Sequence, residues 1–304
     1  MGGFYLANEY WFAVFQLVTA MLGMGATLTP GDFRAILREP KAVTSGTAIQ
    51  LIMVPLVALA VISAFGIAGG VAVGIALIAA IPGGTTSNIF TFFARGNVPL
   101  STTITAVTTL ACLFTTPLIL DFLITQYMPA DFAMPRVQIM TEIALTLLLP
   151  LVIGMVYLRL FPGSAATFSK WVVRASLLGI LMIVVGSASS GRLDWQAFGL
   201  INSVLVAGLI ALLALASWLI CKALRLRHAD RTAIDIEVVV RNVNLGFMLK
   251  ASLFPAVIGR PDPIGDMVLL TLLLYGTLQL LIAVALILRG RRGAKRGSGL
   301  DIAA

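Results

Sequence analysis

Pro82-Gly83-Gly84-Thr85-Thr86-Ser87-Asn88 and Glu237-Val238-Val239-Val240-Arg241-Asn242-Val243-Asn244 interrupt two otherwise apolar stretches with glycines, hydroxyls, amides and two opposite charges. In hydrocarbon every freed backbone group and every charge is costly, so such breaks persist only where they line a cavity or hold a solute. Polar breaks in two separated segments are the sequence mark of a carrier whose solute and ions sit near the bilayer midplane.

The rest of the chain fits that reading. Of 304 residues 59% are hydrophobic and 11% charged, with a mean hydropathy of +1.02, which leaves no way to cover a soluble surface. At about 20 apolar residues per crossing, nine spans are predicted, at 8–27, 43–66, 71–93, 99–127, 138–158, 170–189, 196–221, 233–257 and 265–288. Met1 to Glu9 holds no Lys or Arg, and the first apolar run is too long for a cleaved leader, so it is expected to remain as a span. Placing 28–42 inside puts Arg34, Arg38, Lys41, Arg95, Arg159, Lys170, Arg174, Lys222, Arg225, Arg227, Arg231, Arg289, Arg291, Arg292, Lys295 and Arg296 at the cytoplasmic side. Only Arg136, Arg192 and Arg260 are left outside. That bias predicts an outer N-terminus and a cytoplasmic C-terminus, in what reads as a bacterial inner membrane. The net charge of +8 is scattered over short loops and the tail, which argues against nucleic acid as a partner.

Chemistry other than transport finds no constellation. One histidine, His228, reads as a solvated loop residue; there is no HExxH or GxSxG, and no carboxylate pair at mid-membrane. Cys112 and Cys221 lack metal-ligand spacing and read as small buried hydrophobes. Asp121 and Glu142 fall near outer span ends, where water is available. A channel is disfavoured because polar residues are confined to two breaks. The breaks lie five spans apart, so they run through the membrane in opposite directions and imply an inverted repeat.

The stretch Pro82 to Ser101 and the opening Gly23-Met24-Gly25-Ala26-Thr27-Leu28-Thr29-Pro30-Gly31-Asp32-Phe33 resemble the bile acid:sodium symporter family over essentially the whole chain. The resemblance implies an all-α polytopic transporter in a nine-span form, with two crossing broken helices and one transmembrane domain over 1–288. A panel (8–27, 138–158 and 170–189) and a core (43–127 and 196–288) are implied; by its own composition the basic, Gly-containing stretch 289–304 reads as an irregular, disordered cytoplasmic tail. The resemblance also implies a sodium site at Ser87, Asn88, Ser101, Thr105 and Glu237, whose hydroxyls, amide and carboxylate are the hard oxygens an alkali cation requires.

The resemblance weakens at a second sodium site. Gln50, Val238 and Val240 match, but the glutamine after the Glu-Val element is Arg241, which has five donors, no acceptor and a permanent charge. Three readings stay open for Arg241: it replaces the second ion by bonding Gln50 and nearby carbonyls, it grips the anionic substrate, or it pairs with Glu237. Thr85, Thr86, Asn242 and Arg241 are the substrate candidates, since amides at broken-helix N-termini suit an anion. Lys250 reads either as snorkelling to the outer interface or as a second anchor for an acidic solute. The sequence thus predicts a monomeric secondary transporter of an organic anion, bile-acid-like or a small carboxylate or sulfonate, coupled to one sodium ion without an organic cofactor. The alternative is a sodium-independent or proton-linked anion carrier in which Arg241 replaces the ion's charge.

Overall fold

A computed structural model of the chain describes residues 2–34, 39–127, 133–260 and 262–300. Arg38 and the last four residues of the tail lie outside these. Among the described residues the chain is helical, with two isolated β-bridges and short connections. In chain order the helices are α1 (Gly2–Gly25), α2 (Pro40–Ala64), α3 (Gly69–Ala80), α4 (Thr86–Phe93), α5 (Val98–Ile124), α6 (Arg136–Leu160), α7 (Pro162–Ser189), α8 (Trp195–Ala223), α9 (His228–Val239), α10 (Val243–Leu253) and α11 (Pro263–Leu300).

Six of these, α2, α5, α6, α7, α8 and α11, are long and apolar enough to cross a membrane. The apolar helices α3 and α10 have 12 and 11 residues, too few to cross alone, and each is joined through a break to a second short helix. Both breaks fall within Pro82 to Asn88 and Glu237 to Asn244, the two polar stretches of the sequence. One expectation fails: α11 runs on through the basic segment from Arg289 to Leu300, so that stretch is helical rather than irregular.

Prolines shape two of the long helices. A mid-helix proline lacks an N–H and its ring clashes with the carbonyl four residues back, and a local π turn relieves that clash. The π turn Ile49–Met53 precedes Pro55 in α2, and Ala144–Leu148 precedes Pro150 in α6. The first of these turns carries Gln50, which is buried.

Packing divides the helices into two groups. α1 lies along α7 and α6, while α3 sits inside the other group, packed against α5, α11 and α2 with every residue from Gly70 to Ala80 buried. The first group is held close by glycines. A Cβ at Gly25 would lie 2.1 Å from the Leu151 carbonyl oxygen, and one at Gly154 would lie 2.4 Å from that of Leu22. Backbones approach this closely in membranes because lipid gives no hydrophobic drive, and close van der Waals contact between small residues must supply the attraction.

Gly154→Val is therefore expected to force α1 from α6 and cost about 1–3 kcal/mol, read as a lower unfolding temperature of the detergent-purified protein. Gly208→Val, with nothing within 4 Å of its Cβ, is the control expected to move little.

Candidate functional site

The two breaks meet. Gly83 and Arg241 form an antiparallel bridge, with Gly84 N–H donating to Val240 O (2.8 Å) and Asn242 N–H donating to Pro82 O (2.9 Å). The extended backbone of Val240 (φ −90°, ψ 91°) ends α9, and the Asn242 side chain caps α10 by accepting from Leu245 N–H at 3.4 Å. Side chains complete the accounting: Thr116 Oγ1 donates to Ala80 O (2.8 Å) and Tyr275 OH donates to Val239 O (2.9 Å). Backbone polar groups buried this deeply need such partners.

On one side of the crossing lies Glu237, 1% exposed. Its carboxylate accepts from Ser101 Oγ (2.9 Å), Thr105 Oγ1 (2.5 Å) and Ser87 Oγ. Asn97 and Pro99 set the start of α5 that aims Ser101 and Thr105: the Asn97 side chain accepts from Leu100 N–H, and the four-residue spacing puts both hydroxyls on one face. Asn88 Oδ1 joins the group through Thr105 Oγ1 at 3.5 Å. Gly83 makes room, since a Cβ there would lie 2.0 Å from Glu237 Oε1. The five residues expected to share a cation site therefore stand together. Hydroxyls can donate to the carboxylate or turn a lone pair to a cation, so the cluster has the donor set an alkali ion needs.

On the other side lies Arg241, 3% exposed. Its guanidinium donates to Ile78 O (3.3 Å), Ala79 O (3.1 Å), Ile81 O and Gln50 Oε1 (3.1 Å), and its backbone N–H donates to Gln279 Oε1 (2.9 Å). Three of those acceptors are carbonyls at the C-terminal end of α3, where the helix leaves groups unpaired and the macrodipole is negative. Gln50 also reaches toward Glu237 O with its amide (3.5 Å). Among the described residues no ion pair joins Arg241 to Glu237, although they are four apart, because the chain leaves the helix at Val240 between them. The pairing reading of Arg241 falls on that geometry.

A cavity of about 340 Å³ opens beside the crossing. Thr85, Thr86, Asn242 and Arg241 line its polar wall, and Val173, Leu177, Ile180 and Val184 of α7 line an apolar wall opposite. The substrate candidates thus share one cavity, which lies between the two groups of helices. Val238 and Val240 stay buried at the crossing, and the Val240 carbonyl is taken up by Gly84.

Other expectations change. Lys250 does not snorkel and faces no solute cavity: it is 1% exposed, with Nζ 2.7 Å from Glu9 Oε1, and Arg192 Nη1 lies 2.9 Å from Glu9 Oε2. A carboxylate inside the first span and a lysine inside the eighth were the signal; each needs a partner in hydrocarbon, and the other supplies it. His228 is no solvated loop residue, since it opens α9, is half-buried and lies 3.1 Å from Gly290 O. Asp121 pairs with Arg136, and Glu142 accepts from Ser252 Oγ at 2.7 Å. Gln279, Tyr275 and Thr116 escaped sequence reading because nothing local marks a polar residue on an intact apolar helix as a partner for a distant carbonyl. Cys112 and Cys221 are buried and unpaired, as expected.

Comparison with known proteins identifies the family. The sequence profile described as the Sodium Bile acid symporter family matches residues 14–195. An uncharacterized sodium-dependent transporter of Bacillus subtilis is 30% identical over 244 residues, covering 80% of this chain and 75% of the relative. A chloroplastic protein of Arabidopsis thaliana described as a probable sodium/metabolite cotransporter is 31% identical, with 80% of this chain and 60% of the relative covered. A sodium-dependent organic anion transporter of Bos taurus is 26% identical, over 80% of this chain and 66% of the relative. These relatives are transporters and not enzymes, and the matched profile spans more than half of the sequence: the chain belongs to the sodium bile acid symporter family of membrane transporters.

Proposed function

We propose that the protein is an alternating-access secondary transporter of an organic anion, coupled to one sodium ion. The observation that carries this reading is the placement of a hydroxyl-ringed Glu237 and a carbonyl-bound Arg241 on opposite sides of one crossing, beside a cavity. Ser87, Asn88, Ser101, Thr105 and Glu237 hold the sodium ion. Arg241, with four of its guanidinium contacts on Gln50 and the end of α3, stands where a second cation would neutralise the same acceptors. The guanidinium supplies that charge permanently.

The substrate sits in the 340 Å³ cavity with its anionic group toward Thr85, Thr86 and Asn242 and its apolar part against α7. α1, α6 and α7 form the panel and the remaining helices the core that moves against it; the cavity between the two groups supports this division. The antiparallel bridge between the breaks supports an inverted repeat across nine spans. The charge bias supports an orientation with Glu9 and Lys250 toward the outer face and the end of α11 inside, in what we take to be a bacterial inner membrane.

The deciding test is unfolding temperature of the purified protein during a sodium titration, with potassium as control. Sodium at 100 times its dissociation constant adds about 2.7 kcal/mol, so a saturable, sodium-specific upward shift is expected, and Glu237→Ala should lose it. Equal behaviour in sodium and potassium would instead favour an anion carrier that needs no sodium.

Arg241→Gln tests the role of the guanidinium. The expected result is lower stability without salt and a new, second sodium-dependent rise, because the carbonyls of Ile78, Ala79 and Ile81 regain the need for a cation. Unchanged sodium behaviour with loss of anion binding would make Arg241 a substrate ligand.

A further inference from the structure

Glu9 of α1, Arg192 before α8, Lys250 of α10 and Asp266 of α11 form a four-member charge cluster far from the crossing, and neither the sodium site nor the anion cavity uses it. Lys250 Nζ and Arg192 Nη1 hold the two oxygens of Glu9 (2.7 and 2.9 Å), and Arg192 Nε reaches Asp266. Two cations and two anions cancel, which suits burial. The cluster joins α1, of the panel group, to α10 and α11, of the core group.

Its position is one-sided. Among the described residues, the side-chain bonds from α1, α6 and α7 to the core helices are Glu9 to Lys250, Arg136 to Asp121, and Gln138 and Glu142 to Ser252, together with the Glu9–Arg192 link. All lie at the end of the molecule away from the basic segment of α11. Lys250 follows the cavity residue Phe247 by three residues, about 4.5 Å along the helix at 1.5 Å per residue. The cluster therefore stands about one turn beyond the cavity at that end. Past the cluster a second cavity of about 360 Å³, lined by Arg192, Arg260, Asp262 and Asp266, is polar enough to bring water to separated charges.

The cluster is also incomplete. Arg192 Nη2 is buried without a partner, so the closed arrangement leaves a donor unpaired that hydration on opening would satisfy.

We propose that Glu9, Arg192, Lys250 and Asp266 are the outer gate: they hold the panel to the core in the state seen here and separate when the cavity opens to the other side. This rests on the alternating-access reading above. Breaking Glu9–Lys250 shifts the population toward the outward-open state, because a state held by a contact loses population when the contact is removed.

The test places one cysteine, Thr277→Cys, in the cavity wall, with Cys112 and Cys221 replaced by alanine, and follows labelling by a membrane-impermeant maleimide added from either side of sealed vesicles. The parent should label from the cytoplasmic side and at least 10-fold more slowly from outside. Glu9→Gln and Lys250→Met should each speed outside labelling about 10-fold or more. The double variant should be no faster than the faster single one, because the two residues act through one contact. Asp266→Asn, at the partly exposed rim, should act in the same direction more weakly, and serves if the buried variants fail to fold. Outside labelling unchanged in folded variants would overturn the gate while leaving the carrier intact. A complete absence of outside labelling in the parent and every variant, while the parent labels from inside, would overturn the gate and the two-sided cycle together; retained sodium-specific stabilisation then separates the two failures, since it needs only the Glu237 site.

Discussion

Ending a helix inside an apolar protein core leaves carbonyls that must be satisfied without water, and the architecture of this molecule turns on how that is done at the end of α3. Ala80 O is taken by Thr116, Ile78, Ala79 and Ile81 by the Arg241 guanidinium, and Pro82 O by Asn242 N–H. The donors come from two other elements, so the break in α3 can exist only when α5 and the break between α9 and α10 are docked on it. The crossing is thus a mutual requirement. Neither broken segment could be stable in a bilayer alone, since about 12 residues do not span it and the freed groups would face hydrocarbon.

That requirement explains why Glu237 and Arg241, four residues apart, serve different ends. α9 stops between them, so Glu237 faces the hydroxyls of α4 and α5 while Arg241 turns to the end of α3. An ion pair would have neutralised both and left neither a cation site nor a cap. Gln50 bridges the two halves, accepting from Arg241 and donating toward Glu237 O, and a π turn ahead of Pro55 brings it there. A local change of helical turn thereby positions a link between the two sides of the crossing.

The fold class and both breaks were legible in the sequence because a membrane makes apolar length and polar interruption unambiguous. That Ser87, Ser101, Thr105 and Glu237 would stand together was expected only through resemblance; hydroxyls four apart on a span are otherwise ordinary packing residues, and their convergence on a carboxylate more than 130 positions away has no local sign. Lys250 was misread for a related reason. Distance along its own helix pointed toward an interface, whereas its partner, Glu9, sits 241 positions away on the first helix. The helical tail was misread because glycine and like charge lower intrinsic propensity, while the continuation of a long preceding helix avoids a new nucleation step.

The charges at the crossing bear on coupling. Glu237 and Arg241 together are neutral, so the empty site carries no net charge through the low-dielectric centre. One sodium ion alone would make it positive, and a monovalent anion alone would make it negative; both are costly to bury. Sodium and a monovalent anion together restore neutrality. In the proposed cycle the empty and fully loaded forms are therefore the ones that reorient most readily, while the half-loaded forms are held back by desolvation. A glutamine at 241 would remove one positive charge and leave the same neutral count only if a second cation replaced it. In the proposed cycle the guanidinium thus ties the number of coupled ions to the charge of the substrate, one sodium ion for a monovalent anion, because the buried site is costly to leave charged.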